Sequence, residues 1–213
     1  MAPASLSPLF ADTVWFAPYK AAVDEAYASM DAAYDDVARH YGFRCSGCED
    51  NCCRTRFYHH TLSEMCTLFD GYSLLDSDVA AEVALRARSV VEAMARADDG
   101  GAVFDTVCPV NDAGLCLLYA HRPMICRLHG LPSAMTRPDG ASMPGTGCDA
   151  FHQRHGTGDA PRLDRTPHYT RMAQLEQRLR RVVGWEGRLK LTVADMICLF
   201  DDVFSAEKGR AGA

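Results

Sequence analysis

Val23, Tyr27, Met30, Tyr34, Val37 and Tyr41 recur at alternating steps of four and three, the spacing that puts side chains on one face of an α-helix. Pro18 suits a first turn and Gly42 a stop, so the pattern predicts one long amphipathic helix lying on its own core. Thr61 and Glu64 form a capping box opening a helix over Leu62 to Phe69. Ser77 or Asp78 starts another through Val79, Val83, Ala87, Val90 and Met94 toward Gly100. Thr166 and Pro167 begin a helix carrying Met172, Leu175, Leu179 and Val182, closed at Gly184. Thr192 with Asp195 caps a last one through Ile197, Phe200 and Phe204.

Strand signals are few and short, around Val103 to Val107 and Arg188 to Leu191. The expected fold is therefore mainly α, a single compact domain of several helices around an irregular cysteine-rich centre. Its parts are an N-terminal helical segment over 1–44, a cysteine-rich region over 45–150, and a C-terminal helical segment over 151–213 packing on the same domain. From Leu128 to about Asp164 the sequence has almost no periodicity and many Gly and Pro residues. A loop that long usually has a function or an anchor, and Cys148 lies within it.

Charge narrows the partners. A net charge of -6 argues against non-specific binding to nucleic acid or anionic lipid, both of which need a basic surface. Arg178, Arg180, Arg181, Arg188 and Lys190 make a local basic stretch, read as a solvated helix face. Neither a secretory leader pattern nor an apolar run long enough for a membrane span is visible, which leads us to expect a cytoplasmic protein. Ten cysteines in 213 residues then read as metal ligands or redox thiols, because a reducing compartment disfavours stable disulfides.

The cysteines sort by context. Cys45, Cys48, Cys52 and Cys53 crowd into CSGCEDNCC; Cys108 and Cys116 bracket CPVNDAGLC; Cys126 sits in RPMICR; Cys148 follows Gly145 and Gly147. These eight fall outside the strongest helix patterns, whereas Cys66 and Cys198 lie inside amphipathic helices and read as small buried apolar residues. Two thiolates spaced as CxxC can turn toward one ion. Cys52 and Cys53 are neighbours, whose side chains diverge, so they suit two metal centres or different irons of one cluster. Arg54, Arg122 and Arg127 are the cations expected to offset thiolate charge around the cofactor, with Arg44, Arg56, His121 and His129 nearby in sequence. Glu64, Asp70 and Asp112 read as caps or solvated groups, and Tyr119 as packing beneath the metal loop.

With its cysteines in this order the sequence resembles the CxxCxxCC, or YkgJ-type, cysteine cluster family of zinc- or iron-chelating domains. The resemblance rests on CSGCEDNCCR at 45–54, TLSE at 61–64, CPVNDAGLCLLYAHRPMICRLHG at 108–130 and a late cysteine, and covers about half the chain. It implies eight metal-ligating positions: Cys45, Cys48, Cys52, Cys53, Cys108, Cys116, Cys126 and Cys148. Three residues, where the family's name has two, separate Cys48 from Cys52.

The expected function is a metal-binding cysteine cluster protein, foremost an iron–sulfur protein with a redox or cluster-assisted transferase role. The alternatives are a structural zinc module for partner interaction, or iron or zinc chelation and delivery. No GxSxG, GxxxxGK[ST], HExxH or GxGxxG motif is present. A protein redox or binding partner is expected, its identity unknown; membrane and nucleic acid are not expected partners.

Overall fold

A computed structural model describes residues 6–44, 52–100, 105–156 and 160–211. Within them lie eight α-helices and five short strands, a mainly helical architecture. The helices are α1 (Ser7–Ala11), α2 (Ala17–Tyr41), α3 (Leu62–Ser73), α4 (Ser77–Asp98), α5 (Met124–Leu128), α6 (Asp149–His155), α7 (Thr166–Val183) and α8 (Val193–Ala211).

The five long helices are those that periodicity predicts. α2 buries Val23, Ala26, Tyr27 and Met30 and ends where Gly42 takes a left-handed φ of 61°, a conformation that costs a residue with a Cβ. α7 buries Met172, Leu175 and Leu179, but Val182 points to solvent at 61% exposure, so the apolar stripe ends one turn earlier than expected. α4 packs on α8, α2 on α7, and α3 lies against both α7 and α8. Phe10, Phe69 and Phe200 meet at centroid distances of 5.1 to 5.5 Å in the middle of this core. Each such ring pair adds about 0.5–1.5 kcal/mol beyond area burial. The core draws buried residues from Leu6 to Val203, so both ends of the described chain close on one interior.

The N-terminus of α3 is satisfied group by group. Glu176 of α7 accepts from Leu62 N at 2.8 Å and Ser63 N at 3.2 Å; Thr61 Oγ1 accepts from Glu64 N at 3.1 Å. These donors have no partner within the helix. The expected Thr192–Asp195 box likewise closes the start of α8, with Asp195 Oδ2 accepting from Thr192 N at 2.8 Å.

The strands lie elsewhere than the sequence reading put them. β1 (Asn111–Asp112) and β2 (Leu115–Cys116) form a hairpin; β3 (Ser133–Thr136) pairs antiparallel with β4 (Ser142–Gly145) and parallel with β5 (Leu163–Asp164). Described residues 105–107 form no strand, and Leu191 makes only an isolated bridge with His59. The described residues of the 128–164 segment are thus ordered by a three-stranded sheet, by α6, and by a small second core of Ala38, Phe43, Leu131 and Phe151. Phe151 is fully buried there. Short strands of Ser, Gly and Pro carry no alternation to read.

Candidate metal centre

Four chain segments converge on one cleft. Cys52 and Cys53 sit on a 3-10 turn, Cys52–Arg54, whose Cys53 carbonyl accepts from Cys108 N at 2.7 Å. The Cys108 carbonyl accepts in turn from Asn111 N at 3.0 Å, tying this turn to the β1–β2 hairpin that carries Cys116. The hairpin reverses through Ala113 and Gly114 at φ 48° and 88°, the two left-handed positions of a tight two-residue turn. Ala113 is a strained choice there. Asn111 Oδ1 accepts from Gly114 N at 3.1 Å and closes the turn.

The next segment is a 3-10 turn at Tyr119–His121. It lies so close to α3 that a Cβ on Gly71 would come within 2.6 Å of the His121 ring. The glycine is what allows the approach. Cys126 follows on α5, held from two sides. Glu64 Oε1 accepts from Met124 N at 3.1 Å, and Arg127 donates through Nε to Arg122 O at 2.9 Å, through Nη1 to Asp31 at 2.6 Å, and through Nη2 to Ala120 O. The Arg127 guanidinium also covers the Tyr27 ring at 4.2 Å.

Cys52, Cys53, Cys108, Cys116 and Cys126 all line this cleft, whose cavity volume is about 120 Å³. The thiols sense one another. Cys53 and Cys108 share a hydrogen bond in which Cys53 is the ionised member: donation from Cys108, then from Cys52, holds its thiol well below the ordinary range. The same bond, together with burial, pushes Cys108 up. Burial raises Cys116, and burial followed by the neighbouring Cys116 raises Cys126. Arg122 opposes both shifts, so its charge reaches these two sulfurs.

Soft sulfur donors of this kind suit zinc or iron–sulfur ligation. Among the described residues, however, no group of three or more His, Cys, Asp or Glu side chains is arranged to hold a metal ion. The cleft gathers the donors without closing a coordination shell. Among the described residues, Cys66, Cys108, Cys116, Cys126 and Cys198 are free thiols.

The other expected site residues fall in several places. Cys45 and Cys48 lie outside the described residues. Cys148 is the residue before α6; its N–H donates to Gly130 O at 3.0 Å and its side chain packs on the second core, apart from the lining of the cleft. Gly130, at φ 108°, leaves room for Tyr34 and the Cys148 sulfur, both within 4 Å of where a Cβ would stand. Arg122 lies at the cleft with its guanidinium 3.8 Å from the centre of the Tyr119 ring. Arg54 pairs with Asp105 at 3.0 Å in an exposed ion pair. Arg127 serves the backbone of the 120–122 turn and Asp31. Cys126 sits within α5, a five-residue helix too short to leave a periodic signal. Cys66 is fully buried in α3, as its pattern implies, and Cys198 is half-buried in α8. Tyr119 is not beneath the loop but at its rim, 58% exposed.

Two buried groups, one lining the cleft and one behind it, make contacts that the sequence does not announce. His59 is 2% exposed and fixed by a backbone bridge in which its N–H donates to Leu191 O at 2.7 Å. Its Nδ1 stands 3.5 Å from Glu64 Oε1. Glu64 is the second. Burial opposes its ionisation, but the His59, Thr61 and Met124 contacts outweigh this and lower its pKa. The capping box announced Glu64 as a cap; nothing in its spacing announced a reach to Met124.

Comparison with known proteins returned no family model, no curated protein and no solved structure that matches this chain. Among the described residues, no helix is long and apolar enough to cross a membrane.

Proposed function

We propose that this chain is a metal–thiolate protein, in the first reading an iron–sulfur protein, with Cys52, Cys53, Cys108, Cys116 and Cys126 as ligands from the described residues. The observation that carries the reading is the convergence of five thiols from separate segments on one cleft, although their spacing in sequence is wide and unequal. A single tetrahedral zinc takes four thiolates. Five thiols, two of them adjacent, favour a centre with more than one metal atom, and the resemblance to the CxxCxxCC family implies metal binding, of zinc or of iron. When bound, the group would supply redox or Lewis-acid chemistry.

The chain's own residues have definable parts. Hydrogen bonds from Cys108 and Cys52 lower the pKa of Cys53, which favours its thiolate as a ligand, and Arg122 provides positive charge near Cys116 and Cys126. Glu64 and Arg127 hold the Cys126 helix in place. A structural zinc is the second reading. What favours it is the two-residue length of β1 and β2, too short to hold the Cys116 hairpin without a cross-link. A cytoplasmic setting and a protein redox partner belong to the first reading.

Anaerobic purification followed by iron, zinc and acid-labile sulfide analysis, with a visible spectrum, tests this. Iron with matching sulfide supports the first reading and zinc without sulfide the second. Protein purified without either metal contradicts both.

A further inference from the structure

The cleft has more wall than thiols alone require. Opposite the cysteine segments it is faced by Leu68 of α3, Val90 and Met94 of α4, and Val193 and Ala194 at the start of α8. Leu115 and Tyr119 also line it while remaining 64% and 58% exposed, so two large apolar side chains are held at its mouth. A cavity of about 120 Å³ with this apolar lining is on the scale that holds a single small ring.

The polar groups around it are selective. Among the described residues lining the cleft there is no Asp or Glu, in a chain with 28 of them, while Arg56, His59 and Arg122 are present. His59 Nε2, Thr106 Oγ1 and Arg122 Nε are buried and have no hydrogen-bond partner among the described residues. A buried donor or acceptor left unmatched is destabilising, and native structures rarely leave several together. Arg122 stacks on the Tyr119 ring at 3.8 Å and stands 3.5 Å from Asp31, contacts that leave its Nε without an acceptor among the described residues.

We propose that this cleft is the binding site for a small apolar acid, whose hydrocarbon body lies on the Leu68, Val90, Met94 and Val193 wall and whose carboxylate is met by His59 and Arg122. The inference deepens the reading of the cleft as a metal–thiolate site by naming the class of molecule bound beside it, and rests on that reading only for the metal's presence. A carboxylate supplies acceptors to the unmatched donors and negative charge to a lining that has none of its own in carboxylates.

The test is titration of the protein, purified anaerobically with whatever metal it carries, with phenylacetate and with its neutral isostere phenylacetamide, followed by calorimetry. Metal content is measured on the same samples, so loss of the metal reading and loss of the ligand reading are separately visible. We expect saturable one-to-one binding of phenylacetate, weaker by about tenfold or more for phenylacetamide and for Arg122→Gln and His59→Gln proteins that remain folded by circular dichroism. Ala194→Leu, which fills the apolar wall, should weaken both ligands alike. No saturable binding to folded wild-type protein, equal affinity for acid and amide, or affinity unchanged in both polar variants would overturn the proposal.

Discussion

Glu64 Oε1 accepts a hydrogen bond from the backbone N–H of Met124 at 3.1 Å, so a carboxylate from α3 fixes the first turn of the helix that carries Cys126. The same side chain accepts from Thr61 Oγ1 at 2.7 Å and lies beside His59. One buried residue therefore couples the start of a core helix to the thiol cleft.

Replacing Glu64 with Gln should destabilise the fold by roughly 1–3 kcal/mol in urea denaturation at neutral pH, because a charged acceptor in a buried network is lost. The pH dependence has a definite sign. The folded state lowers the pKa of Glu64 below its ordinary value of 4.5, so its contribution is complete above that value and disappears as pH falls through the depressed one. Wild-type stability should drop across this acid window, and the Gln variant should show a shallower drop.

Glu176 plays the corresponding part for α3. Glu176→Ala removes the acceptor for Leu62 N, Ser63 N and the Ser63 hydroxyl together. Two buried N–H donors are left unmatched, and the expected loss is about 2–4 kcal/mol. Thermal and urea unfolding should both report it, with a smaller loss for Glu176→Gln. Unchanged stability in the Ala variant would mean that the cap contributes nothing.

These two glutamates show what the sequence could reveal. Periodicity and caps located the five long helices because each buries a stripe over several turns and ends on a residue with a local signature, such as Gly42 or Thr61. The 128–164 segment lacked any such stripe. Its order comes from strand pairing between distant residues and from the contact of Phe151 with Phe43 and Leu131, which no local window contains. For the cleft, the cysteine types and their order were legible. Which cysteines meet, and the position of Cys148 on the other core, were not, since convergence depends on backbone ties such as Cys108 N to Cys53 O.

The second core yields its own expectation. Phe151→Ala empties a fully buried position against Tyr41, whose ring is 4.9 Å away. The cost should be about 3–5 kcal/mol. Amide exchange should speed up first in 130–156, while α4 and α8 keep their protection. Equal acceleration throughout would show that the two cores unfold as one.

Arg127→Met should release the 120–122 turn, because the guanidinium supplies its ties to Arg122 O, Ala120 O and Asp31. Arg127 is buried but its partner Asp31 is 39% exposed, so the expected loss is roughly 1–3 kcal/mol, most of it from the Ala120 and Arg122 carbonyls left without a donor. Metal content should fall with it if α5 presents a ligand.

The most direct measurement is the metal content per chain, by elemental analysis, of Cys116→Ser and Cys66→Ala proteins beside wild type, each shown to be folded by circular dichroism. Cys116 lines the cleft, whereas Cys66 is buried in α3 away from it. Loss of most of the metal from Cys116→Ser with wild-type content in Cys66→Ala is the result this account predicts. Equal metal content in the two variants, or wild-type protein without bound metal, would contradict it.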